Sequence, residues 1–141
     1  MQYGWNSAII TFLAGTAVGA AGMYYAEKYT DIRRKKEYKK ERKKQFIQII
    51  QDMPELIAEF KNDLSDEKNK LIREFFVLAN RKVHLGGSTK PRFVYYDEDH
   101  ENLRNKVDLL EDAGFVTDVT EHNVSVYRMT EELVMFIEKY G

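Results

Sequence analysis

The apolar positions change their rhythm three times along the chain. Residues 5–26 show no alternation, only an uncharged run in which Ile9, Ile10, Phe12, Leu13 and Val18 are set among Gly, Ala and Thr. A helix over this run is about 33 Å long, against about 30 Å for a hydrocarbon core. Tyr3 and Trp5 stand at one end and Tyr24, Tyr25 and Tyr29 at the other, where amphipathic rings favour a membrane interface. The pattern predicts a transmembrane anchor over residues 1–26, retained rather than cleaved, because no positive charge precedes the apolar part. Gly15, Gly19 and Gly22 line a small-residue face of that helix, and Gly15-x-x-x-Gly19 has the spacing of close helix approach. That face is expected to pair two copies of the chain.

Residues 27–53 keep a helical rhythm but are mostly charged until Phe46, Ile47, Ile49 and Ile50 restore an apolar face. They read as a basic juxtamembrane helix that stops near Asp52-Met53-Pro54. Pro54 suits the first turn of a new helix, whose face is Leu56, Ile57, Phe60 and Leu64. Ser65 is expected to cap a further helix, with Asp66 and Glu67 in its first turn and a stripe of Leu71, Ile72, Phe75, Phe76 and Leu78. Residues 81–98 hold the Gly86-Gly87-Ser88 loop and a short strand, Arg92-Phe93-Val94-Tyr95-Tyr96. Asp97 or Asp99 is expected to cap the next helix, with Leu103, Val107, Leu109 and Leu110 inward and Gly114 as its terminator. Two alternating runs, Phe115 to Val119 and Val124 to Tyr127, predict a hairpin. Thr130 caps a last helix that buries Leu133, Val134, Phe136 and Ile137.

The net charge of −1 conceals a segregation. Residues 1–26 carry no charge; residues 27–44 hold ten Lys/Arg against four Asp/Glu, a net of +6; residues 45–141 hold twelve against nineteen, a net of −7. With every Lys and Arg after the run, the positive-inside rule places the N-terminus outside and the rest in the cytoplasm of a single-pass inner-membrane protein. Arg33, Arg34, Lys35, Lys36, Lys39 and Lys40 are then the residues expected to contact anionic lipid headgroups.

Helix, strand, helix, hairpin, helix is the order of a winged-helix module, and Leu109-Leu110-Glu111-x-x-Gly114-Phe115 running into a two-stranded wing resembles that family's third helix and wing. The resemblance covers residues 64–140 and lacks a second helix between Asn80 and Asp99. A fainter one is to the cytoplasmic tail of the superinfection exclusion protein B family of phages, through Leu64-Ser65-x-Glu67 and Leu71-x-Arg73-Glu74-Phe75-Phe76. It implies a role in exclusion or host defence. The sequence thus predicts an α+β protein: transmembrane helix 1–26, basic helical linker 27–53 and winged-helix-like cytoplasmic domain 54–141.

The chemistry-bearing residues are sparse. Without cysteine there is no disulfide, thiolate nucleophile or cysteine-held metal. Asp97-Glu98-Asp99-His100-Glu101 would offer metal ligands but reads better as helix-start acids. Gly86-Gly87-Ser88-Thr89-Lys90 lacks the spacing of a phosphate loop. No catalytic residue, cofactor or metal is expected. On the helix that would enter a DNA groove, Arg104 and Lys106 are outnumbered by Glu101, Asp108, Glu111 and Asp112, so nucleic acid is not the expected partner. The reading is a non-enzymatic, membrane-anchored adaptor or regulator that binds a protein through its helix–hairpin face. The alternative is a membrane-tethered winged-helix DNA-binding regulator.

Overall fold

The structure is a computed structural model; it describes the backbone of residues 4–83, 85–86 and 90–141, and side chains from Val18 onward. The elements are α1 (Gly4–Asp52), α2 (Pro54–Ser65), β1 (Glu74–Leu78), β2 (Phe93–Tyr96), α3 (Leu103–Asp112), β3 (Val116–Asp118), β4 (Val126–Met129) and α4 (Glu131–Tyr140). The chain divides into two units, residues 1–42 and 43–141, so the end of α1 belongs to the second.

Among the described residues no helix is long and apolar enough to cross a membrane. This overturns the transmembrane anchor expected over residues 1–26. The single-pass inner-membrane placement, with its outward N-terminus and cytoplasmic C-terminal domain, falls with it. The physical reason lies in composition. From Val18 the helix continues through Gly19, Ala20, Ala21 and Gly22, which offer little apolar surface, and charge begins at Glu27. The side chains of residues 5–17, including Gly15, lie outside the described residues.

In the second unit a proline sets the first corner. Pro54 has no N–H to continue α1 and disfavours helical geometry at Met53, so α1 closes with Met53 N–H donating to Ile49 O (2.9 Å) and α2 starts with Pro54 in its first turn. α2 buries Leu56, Ile57, Phe60 and Leu64, the predicted face. Ser65 does not cap a new helix. Its hydroxyl donates to Asn62 O (2.7 Å) at the end of α2, and the Asp66 carboxylate accepts from Lys68 N–H (3.0 Å) in the turn that follows.

The helix expected from the Ser65 cap through the Leu71–Leu78 stripe is instead a turn followed by strand β1. Leu71, first member of the supposed helical stripe, is 90% exposed, whereas Phe75, Phe76, Val77 and Leu78 are all buried. A run buried on both faces is the signature of a central strand. β1 pairs parallel with β2 (Phe75 opposite Phe93, Val77 opposite Tyr95) and antiparallel with β4 (Glu74 opposite Arg128). The sheet order is β2-β1-β4-β3. Strand β2 thus occupies the stretch where a winged helix carries its second helix.

The pleat divides the sheet's side chains between two clusters. Phe75, Val77, Phe93, Tyr95, Val116 and Met129 face the helices and join the main core with Phe46, Met53, Phe60, Leu103, Leu110, Phe115 and Phe136. Phe76, Leu78 and Val126 face the other way and pack with Leu85, Val94, Tyr96, Val119 and Val124. Gly114 has φ +72°, the left-handed conformation predicted for its place after α3. Thr130 caps α4 as expected, accepting from Leu133 N–H (3.2 Å) while its hydroxyl donates to Phe115 O (3.0 Å).

Candidate functional site

A groove forms where residues of the end of α1 and of α3 come together. Gln45, Gln48 and Asp52 recur at i, i+3 and i+7 and form the polar wall of α1, with Gln48 Nε2 donating to Asp52 Oδ1 (3.2 Å). The apolar floor is Ile49, Met53 and Ala113. Leu109 and Asp112, one turn apart, form the α3 wall. The groove encloses about 260 Å3. Leu109 is 53% exposed, unlike Leu103, Val107 and Leu110 of the same helix, which are fully buried. The expectation that Leu109 faces inward is therefore corrected: Leu103, Val107 and Leu110, at i, i+4 and i+7, form the buried stripe of α3, and Leu109 lies beside that stripe, at its solvent edge. A half-exposed apolar side chain in a groove also lined by Asp52 and Asp112 is suited to contact a basic, partly apolar surface.

A second arrangement is built into the packing of α2. Glu59 and Asp63 lie one turn apart. Glu59 Oε2 pairs with Nε2 of His100, whose ring is 5% exposed and whose Nδ1 is buried without a partner. Tyr95 OH donates to Asp63 Oδ2 (2.8 Å), and burial, reinforced by that carboxylate, raises the phenol far above its ordinary value. These contacts tie β2 and the turn before α3 to α2.

The acidic run 97–101 is dispersed by its partners. Asp97 accepts from Arg104 Nε (3.4 Å), Glu98 and Asp99 accept from Arg81, and His100 turns to Glu59. Arg81 also stacks over Tyr96, 4.8 Å from the ring centre. Neither Asp97 nor Asp99 caps α3; its N-cap is Asn102, with φ 54°. Among the described residues no group of three or more His, Cys, Asp or Glu could hold a metal ion. His84 and the Gly87-Ser88-Thr89 part of the loop lie outside the described residues.

On the outer face of the sheet, Glu74 joins three strands. It accepts from Arg92 Nε on β2's side (2.7 Å) and from Arg128 Nη2 on β4 (2.6 Å), and these bonds hold its carboxyl below its ordinary value. Sequence reading singled out neither Glu74 nor the groove. The Leu109-Leu110 doublet was the available signal for the groove.

In the first unit, Arg33, Arg34, Lys35, Lys36, Lys39 and Lys40 are all exposed on α1, as are Gly19 and Gly22. A Cβ added at either glycine meets open space. The charges are not spread evenly. Glu27, Asp31, Glu37 and Glu41 fall together on one side, and the opposite side carries Ile32 with Lys28, Lys35, Lys36 and Lys39 at helical neighbour spacings. Ile32 is 42% exposed and borders a shallow hollow with Tyr29, Thr30, Arg33 and Lys36. No family model, curated protein or solved structure matches this chain.

Proposed function

We propose that this protein is a non-enzymatic adaptor or regulator whose second unit binds a protein partner through the α1–α3 groove and the adjoining β3–β4 hairpin. The observation that supports the reading is Leu109, half in solvent on the wall of a groove that Asp52 and Asp112 also line. An exposed leucine costs solvation without adding to the core, and a partner that covers it recovers that apolar area. The acid rim selects a basic partner segment and repels an acidic one. The same rim counts against duplex DNA as the occupant, since phosphates would face Asp52 and Asp112. The setting implied by the superinfection exclusion resemblance is phage exclusion or host defence.

Photo-crosslinking from the groove tests this reading. A benzophenone amino acid at position 109 should capture protein in cells, and Asp52→Lys with Asp112→Lys should abolish that capture. The same group at Leu71, exposed but remote from the groove in sequence and element, is the control. Equal capture from both positions, or capture indifferent to the charge reversals, would refute the groove as the binding surface.

A further inference from the structure

The groove's rim and the basic face of α1 are opposite in charge. One is lined by the half-exposed Leu109 together with Asp52 and Asp112; the other is a shallow hollow lined by Tyr29, Ile32, Arg33 and Lys36, with Lys39 less than one turn further on. We propose that the groove's occupant is the basic segment of a second copy of this chain, with Leu109 of one copy seated in the other's hollow. The inference rests on the reading of the groove as a protein-binding surface and names its partner.

Three observations support the assignment. The charge asymmetry of the arm leaves one side free of carboxylates, so that side would meet the acid rim without like-charge contacts. The lysine stems on that side add apolar cover beside Ile32 while their ammonium groups reach the rim. Each copy carries one arm and one groove, so a two-fold pair that exchanges arms satisfies both surfaces at once. The segregation of +6 in residues 27–44 from −7 in residues 45–141 then has a purpose within the assembly. It biases copies toward arm-to-groove encounters over arm-to-arm or groove-to-groove ones.

A charge-swap experiment on the full chain tests the pairing. Variant one is Asp52→Lys with Asp112→Lys; variant two is Lys36→Glu with Lys39→Glu. All four positions are exposed, and circular dichroism confirms that each variant folds. Sedimentation and energy transfer between labelled copies report self-association. Each variant alone should associate at least about tenfold more weakly than the parent, and equimolar mixing should restore association, because each then meets a complementary partner. Raising salt from about 0.05 M to about 0.5 M should weaken the parent's association, as expected for partly exposed charges. Association through any other face, including the small-residue face of α1, would be unchanged by the swaps and would overturn the proposal.

A parent that stays monomeric overturns it too. In that case a peptide of residues 28–42 is titrated onto the parent and onto variant one. Binding lost only in variant one would leave the groove as a site for basic segments of another protein. No binding to either would remove the groove reading as well.

Discussion

The end of α1 belongs to the globular unit, and Phe46 is where that statement is most sharply tested. Its side chain is fully buried, stacked 5.3 Å from Phe136 and edge-on 5.8 Å from Phe115. Removing a buried phenyl group forfeits about 2–3 kcal/mol of transfer free energy. The two ring contacts add about 0.5–1.5 kcal/mol each. Phe46→Ala should therefore cost about 3–5 kcal/mol, the range expected for emptying a core aromatic site. Small domains hold only about 5–15 kcal/mol in total, so the variant should be near the edge of folding. With a urea slope of about 2 kcal/mol per molar, the midpoint should fall by about 2 M. Ile47, its neighbour, is 39% exposed, and Ile47→Ala should shift the midpoint far less. If the two variants lose equal, small amounts, below about 1 kcal/mol each, residues 43–52 are not part of the core.

Three further outcomes follow from single contacts. Tyr95→Phe removes the hydroxyl bound to Asp63 and should cost about 1.5–3 kcal/mol in urea denaturation, since the acceptor is charged and its partner buried; a neutral substitution would mean the bond is replaced by water. Gly114→Ala meets no obstructing atoms, so its cost should come from the positive φ alone, about 1–2 kcal/mol, and a stabilised variant would contradict that geometry. Glu74→Gln should cost about 1 kcal/mol near pH 7. Because the Glu74 carboxyl is held below its ordinary 4.5, its contribution is complete above that value and is lost as pH falls through the lower folded-state value. Stabilities of parent and Glu74→Gln should therefore converge in acid, and a gap constant with pH would refute the ionic role of this residue.

Much of the second unit was legible because local signals agreed with the tertiary outcome. Pro54 ended one helix and began another, Gly114 and Thr130 marked boundaries by backbone and capping chemistry, and the hairpin alternated cleanly. The error at β1 has a definite cause. Leu71, Ile72, Phe75, Phe76 and Leu78 satisfy helical spacing, yet Glu74-Phe75-Phe76-Val77-Leu78 equally suits a strand covered on both faces. Only the partners on either side decide between them, and both lie far along the chain. The anchor expectation failed for a different reason: length, absence of charge and flanking aromatic residues all fit a span, but Gly, Ala and Thr make the run only weakly apolar. The groove was partly visible in the Leu109-Leu110 doublet, but its α1 wall becomes adjacent only after folding.

The pairing of β1 with β4 has a consequence for how the polypeptide is born. During synthesis β1 leaves the ribosome before both of its partners, and β2 is the first available to cover one of its edges. Its other edge waits for Val126–Met129, made only after β2, α3 and β3. Until then a flat run of Phe, Phe, Val and Leu offers unpaired backbone to any neighbouring nascent chain. Products stopped before Met129 should therefore be insoluble rather than merely short, and premature termination would be cleared as aggregate instead of persisting as a partly folded fragment.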